Sequence, residues 1–167
     1  PEIDYFLGSG DVEAILEAVQ ATQKGEVVSS ARSYLEAGEV PRRLSTPPHY
    51  AYLKIAEGCR KRCAYCIIPT IKGPLRSKTQ EQILKEFRLL LSQGVKEIIL
   101  IAQDLGDYAK DQGAKGSSGL VALLQTLLQE PGTFWLRLLY LYPDEITPEL
   151  IRLMKQDSRL CPYLDMP

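Results

Sequence analysis

The stretch "EGCRKRCAYCIIP", Glu57 to Pro69, places Cys59, Cys63 and Cys66 within eight residues at CxxxCxxC spacing. A structural zinc site closes a tetrahedron of four ligands, commonly from two CxxC knuckles or a CxxC with an HxxxH, and this chain offers neither set. Three thiolates in one short loop leave zinc a ligand short, unless distant Cys161 or His49 supplies it. For a cubane iron–sulfur cluster the shortfall serves a purpose: three irons are anchored by cysteine and the fourth stays open to a substrate or cofactor. The spacing therefore favours an iron–sulfur cluster over zinc. Tyr65, before Cys66, and Ile67, Ile68 and Pro69, after it, would shield such a cluster on one side, and a dry shell tunes its potential.

The loop is also basic. Between Glu57 and Lys78 stand Arg60, Lys61, Arg62, Lys72, Arg76 and Lys78 against the single acid Glu57. Either they form a solvated loop, or they offset anionic sulfur and help hold an anionic ligand or partner. Over all 167 residues the formal net charge is −1, which gives no global attraction for nucleic acid. With 45% hydrophobic and 25% charged residues the composition is that of a globular domain with one sizeable core. No apolar run approaches the ~20 residues of a membrane helix. The start, "PEIDYFLGSGD", lacks the basic and apolar parts of a signal peptide, so the expected compartment is the cytoplasm. Thiols stay reduced there, so four cysteines are not expected to form disulfides. Cys161, apart from the other three, is expected to be a packed thiol.

The cysteine loop follows a strand, expected over Tyr50 to Ala56. Before it, Val12, Ile15, Leu16 and Val19 share one face of a helix over 11–22, and from Gly25 to His49 periodicity gives way to proline, serine and arginine, the composition of a linker with one short strand at most. His49, beside two prolines, reads as a loop residue. Beyond the loop, Thr79 and Gln82 make a capping box, and Ile83, Leu84, Phe87, Leu90 and Leu91 form an apolar stripe that stops at Gly94. "VKEIILIA", 95–102, has the continuous apolar core of a strand covered on its faces. A glycine-, lysine- and serine-rich loop, 106–119, leads to a helix over 120–129 and a strand over 134–141. Thr147 and Pro148 open a further helix, and 161–167 start a fourth strand. The order β-α-β-α-β-α-β implies an α/β fold with a parallel sheet and right-handed crossovers, either open or curled into a barrel. In both architectures chemistry sits at the C-terminal ends of the strands, where the cysteine loop lies.

With these residues in view the chain resembles the radical S-adenosylmethionine (radical SAM) enzymes, whose signature is CxxxCxxC after the first strand with an aromatic residue before the last cysteine. The blocks "AYLKIAEGCRKRCAYCIIPTIKGPLRSK", "EIILIAQDLGDY", "WLRLLYLYPDEI" and "CPYLDMP" resemble the methylthiotransferase subgroup, and within it the type acting on an aspartate of a small-subunit ribosomal protein. That resemblance implies a partial radical SAM (β/α) barrel spanning three to four strands over 49–167, preceded by the end of an N-terminal methylthiotransferase domain, 1–24, and a linker, 25–48. It implies that Cys59, Cys63 and Cys66 ligate a 4Fe-4S cluster whose open iron is chelated by S-adenosylmethionine. Electron transfer to that pair would yield a deoxyadenosyl radical able to take hydrogen from the unactivated β-carbon of the aspartate. By the same analogy Tyr65 meets the adenine through its backbone, and Gln103 and Asp104 face the methionine end of the cofactor; the latter two also suit an ordinary polar end to a strand. Arg137, a charge in an apolar run, either meets the ribose or carboxylate of the cofactor or keeps its head in solvent between strand and helix. Tyr140 and Tyr142 read as wall and core residues. The expected partners are the ribosomal protein and an electron-donor protein, with no membrane and no direct nucleic-acid binding by this stretch.

Residues 1–58 contain no cysteine, so the second cluster of the family's N-terminal domain has no ligands here. The family closes its barrel with further strands and adds a C-terminal β-domain, and the expected strands here reach only the fourth. The isolated chain is therefore expected to be unable to complete methylthiolation while still able to hold a cluster. Two other readings stand beside this one: a tRNA-adenosine methylthiotransferase, disfavoured by "AQDLGDY" and "LLYLYPDE", and a non-enzymatic zinc or iron–sulfur module.

Overall fold

The computed structural model describes residues 5–8, 10–11, 14–20 and 44–166. The expected linker strand lies outside the described residues. Part of the first helix does not: α1 covers Ile15–Gln20, and Ile15, Leu16 and Val19 are exposed on it.

Four strands make one parallel sheet in the order β1, β4, β5, β6: Tyr50–Lys54, Glu97–Ile101, Trp135–Leu138 and Leu160–Leu164. Each new strand adds to the same edge in chain order. A doubly wound sheet would reverse direction part-way, so this is the winding of a barrel segment, which resolves the open-or-barrel alternative. The helices that cover the sheet are α3, Gln80–Ser92, α4, Ser118–Leu127, and α5, Pro148–Gln156. Alternation along the strands separates the faces: Ala51, Leu53, Ile98, Leu100, Leu136 and Leu138 are fully buried among Ile83, Phe87, Leu120, Leu124, Leu127 and Leu150. Tyr52, Trp135 and Tyr163 of the sheet are exposed.

The helix signals act as expected. Thr79 Oγ1 accepts from the Gln82 N–H at 3.2 Å while Gln82 Oε1 accepts from the Thr79 N–H at 3.0 Å. Thr147 Oγ1 accepts from the Leu150 N–H, with Pro148 opening α5. Cys161 is buried and unpaired, as expected of a packed thiol. Three short elements were not expected. Strands β2, Ala56–Glu57, and β3, Arg76–Ser77, pair antiparallel and close the base of the cysteine loop, and α2, Ile68–Lys72, lies inside it. The loop after β4 holds one-turn 3-10 helices at Leu105–Asp107 and Lys110–Gln112, and the second docks on β3, where the Ala109 N–H donates to Ser77 Oγ and the Ser77 N–H to Asp111 Oδ2. No helix among the described residues is long and apolar enough to cross a membrane.

Candidate functional site

Gly58 opens the cysteine loop with φ +72°, and a Cβ there would stand 2.1 Å from the Pro74 carbonyl oxygen. Only glycine permits both the left-handed backbone and this approach. The loop is closed by the Cys59 N–H bonding to the Gly73 carbonyl at 3.2 Å. Below it, Glu57 is buried and meets Lys54 at 2.8 Å and Lys72, at the end of α2, at 3.3 Å. The Cys66 N–H bonds to the Cys63 carbonyl at 3.0 Å, so these two cysteines share one turn. Cys59 and Cys63 are half-buried and Cys66 is exposed. The Lys61 N–H points at Cys59 Sγ from 3.4 Å. Burial raises the Cys59 thiol above its ordinary range, and that N–H works in the opposite direction.

Neither remote candidate completes a zinc tetrahedron. His49 precedes β1 and accepts through its carbonyl from the N–H groups of Lys96 and Glu97, at the N-terminal end of the sheet. Five strand residues, about 16 Å at about 3.3 Å each, separate it from the loop at the other end. Cys161, the second residue of β6, feels Arg137 and Glu97 at that same far end.

The loops after β4 and β5 meet the cysteine loop in a buried nest of charge. Lys61 Nζ lies 3.3 Å from Asp104 Oδ2, 3.3 Å from Glu145 Oε1 and 3.2 Å from Asp144 Oδ2. Lys110 Nζ contacts Asp107 Oδ1 at 2.7 Å and the same Glu145 oxygen. Asp104, Asp107 and Glu145 are 2%, 3% and 6% exposed, whereas the Asp144 side chain is 67% exposed. A pair screened by solvent is worth at most about 1 kcal/mol, so the buried carboxylates anchor Lys61 and Asp144 adds little. Burial opposes the charge on Lys61, but hydrogen bonds and the field from Asp144, Asp104 and Glu145 outweigh it and hold the ammonium well above the usual lysine range. Two lysines face three buried acids, and desolvation, followed by the neighbouring Asp107, raises Asp104 above the ordinary carboxyl range. Asp104, Asp107 and Glu145 are the one trio of metal-type side chains, among the described residues, whose oxygens gather within 4.8 Å. The lysines already fill it.

Tyr142 joins the site from the loop after β5. Its hydroxyl is 3.2 Å from Cys63 Sγ, and Lys61 Nζ sits 4.9 Å from its ring centre. The bond to Cys63, reinforced by burial, pushes the phenol well above its ordinary range.

The expected site residues thus divide by place. The thiols, Tyr65, Gln103 and Asp104 share the C-terminal end of the sheet. Tyr65 is 87% exposed and Ile67 is exposed too, whereas Ile68 and Pro69 are half-buried, so only part of the flank expected to shield the thiols faces outward. Gln103 Oε1 is buried with no hydrogen-bond partner. Asp104 Oδ1 accepts from the Gly106 N–H at 3.0 Å. Arg137 turns the other way: its Nε donates to Glu97 Oε1, two register positions toward the N-terminal end, and its guanidinium lies 5.4 Å from the Tyr163 ring centre. Glu97 supplies the partner that a charge on this strand needed. Asp107, Lys110 and Glu145 were missed, and Lys61 was seen only as one cation of the basic loop. The available signal was acids directly after two strands, in "QDLGDY" and "YPDEI", opposite a lysine between cysteines. Tyr142, read as a wall residue, contacts a thiol instead.

Residues 53–160 match the sequence profile of the Radical SAM superfamily. Over its 167 residues the chain is 80% identical to the ribosomal protein uS12 methylthiotransferase RimO of Protochlamydia amoebophila (strain UWE25), covering all of this chain and 35% of that protein. It is 66% identical to the protein of the same name from Chlamydia abortus (strain DSM 27085 / S26/3), covering 36% of it. Against that of Pelotomaculum thermopropionicum (strain DSM 13744 / JCM 10971 / SI) the identity is 46% over 169 residues, covering 38%. The chain spans about a third of the length of these relatives.

Proposed function

The chain belongs to the Radical SAM superfamily, and from that premise we propose that it is the core of a methylthiotransferase acting on the β-carbon of an aspartate in ribosomal protein uS12. The observation that carries the reading is the thiol trio at the C-terminal end of a barrel-wound parallel sheet, in a chain 80% identical to a uS12 methylthiotransferase.

The residues present fit a 4Fe-4S cluster. Three partly exposed thiols share one pinched loop, a backbone N–H is aimed at one of the sulfurs, and the two candidates for a fourth protein ligand lie at the far end of the sheet. Cys59, Cys63 and Cys66 would hold the cluster. The orphaned Gln103 Oε1 and the adjacent Asp104 offer polar atoms to S-adenosylmethionine, and Tyr65 offers its backbone. Arg137 joins them only by exchanging Glu97 for the cofactor. When bound, cluster and cofactor together supply the radical chemistry that breaks an unactivated C–H bond. The protein's own work is placement: β2 and β3 clamp the loop, Lys61 pins it to Asp104 and Glu145, and the sheet presents it at the barrel mouth.

The proposed division is 1–24 as the end of an N-terminal methylthiotransferase domain, 25–48 as linker and 49–167 as radical SAM core; a superfamily match beginning at residue 53 supports its last boundary. The proposed setting is cytoplasmic, with an electron-donor protein as second partner.

The test is the full-length enzyme, reconstituted anaerobically and supplied separately with uS12 and with tRNA. A methylthio mass gain on uS12 alone is expected. A gain on tRNA alone assigns the tRNA-modifying reaction instead, and zinc without acid-labile sulfide in the reconstituted protein assigns a metal-binding module.

A further inference from the structure

Tyr142 and Cys63 stand 79 residues apart in sequence, and their side chains meet at 3.2 Å. The contact is held from several directions. The Leu141 N–H, beside Tyr142, donates to the Asp165 carbonyl at 2.9 Å. Pro143 and the 3-10 turn to Glu145 follow, and Glu145 packs so tightly on Gly106 that a Cβ there would lie 2.2 Å from its own. Lys61 caps the ring from the cysteine loop, its Nζ 4.9 Å from the ring centre. The backbone on both sides of Tyr142 is thus fixed where it brings the phenol to the sulfur.

Between a free thiol and a phenol either group can donate. Once Cys63 ligates iron its sulfur carries no proton, and the hydroxyl alone can be the donor. Hydrogen bonds to ligand sulfur stabilise the more electron-rich, reduced state of an iron–sulfur cluster and so raise its potential.

We propose that Tyr142 is a positioning residue that sets the cluster's reduction potential by donating a hydrogen bond to the Cys63 sulfur. The inference rests on the reading that the three thiols hold a 4Fe-4S cluster. It makes the loop after β5 part of the redox machinery.

The test compares the full-length wild type with Tyr142→Phe and with 3-fluorotyrosine incorporated at position 142, each reconstituted anaerobically. Iron and acid-labile sulfide are counted, and redox titration follows the paramagnetic signal that responds to S-adenosylmethionine. Phenylalanine removes the donor and is expected to lower the midpoint potential at unchanged cluster content. Fluorotyrosine is a stronger donor of nearly the same shape and is expected to raise it. A purely structural role would not give opposite signs. Equal potentials in all three proteins, each fully loaded, overturn the role of Tyr142 while leaving the cluster assignment standing. If Tyr142→Phe fails to load, the fluorotyrosine protein decides alone: no upward shift overturns the proposal. Wild type without labile sulfide overturns the cluster reading and this inference with it.

Discussion

Lys61, midway between Cys59 and Cys63, reaches 3.3 Å from Asp104 Oδ2 at the end of β4, and that carboxylate is 1% exposed. The thiol loop is thereby tied to the neighbouring strand through a charge that water cannot replace. Lys61→Met leaves Asp104 and Glu145 with less cation than their burial requires, which costs about 1–3 kcal/mol. The expected result is a lower melting temperature and reduced iron retention, with Lys61→Arg keeping most of both. Asp144→Asn, at the exposed end of the same lysine, is expected to stay within about 0.5 kcal/mol of wild type. Equal losses from the two positions would show that burial does not rank these pairs.

Gly106 accepts no side chain. An added Cβ would stand 2.2 Å from Glu145 Cβ and 2.5 Å from its Cγ, so Gly106→Ala must displace Glu145 from Lys61 and Lys110. Overpacking of this kind costs about 1–3 kcal/mol, and the broken pairs add to it. Thermal unfolding should show a loss at least as large as that of Lys61→Met.

Arg159 clamps the end of α4. Its Nη1 donates to the Glu130 carbonyl at 3.0 Å and its Nη2 to that of Leu128, while Asp157 holds its Nε at 3.0 Å and Nη2 at 2.7 Å. The hydrogen bond from Arg159 keeps the Asp157 carboxyl below its ordinary 3.8. A carboxyl depressed on folding binds fewer protons in the native state, so its stabilisation is complete above the unfolded value and disappears as pH falls through the folded one. Urea denaturation from neutral pH down to about pH 3 should therefore show an acid-side loss that is smaller in Asp157→Asn. Arg159→Lys should not restore stability, because an ammonium cannot span both carbonyls and the carboxylate.

The thiols lie outside the core, and the fourth cysteine lies inside it. Replacing Cys59, Cys63 and Cys66 together by alanine is expected to abolish iron binding with about 1 kcal/mol or less lost in stability. Cys161→Ala is expected to keep full iron and sulfide content. Iron loss in Cys161→Ala would contradict its position at the opposite end of the sheet.

The amino-acid sequence alone determined the parts of this protein whose signals are local. A capping box needs only Thr79 and Gln82, a strand covered by helices declares itself in "EIILI", and the thiol spacing limits its own ligand within eight residues. The two-residue strands β2 and β3 and the single helical turns are too short to carry a period, so they appear only when the cysteine loop is folded back on its base. The charged nest depended wholly on tertiary structure: Lys61 meets Glu145 across 84 residues and Lys110 meets it across 35. Which ammonium lies beside which carboxylate follows from the parallel register, which brings the ends of β1, β4 and β5 side by side. For the same reason Arg137, a lone charge in an apolar strand when read along the chain, finds its partner in Glu97 one strand over. An ion pair falls off within a few ångströms, and distances that short between remote residues exist only once the sheet has formed.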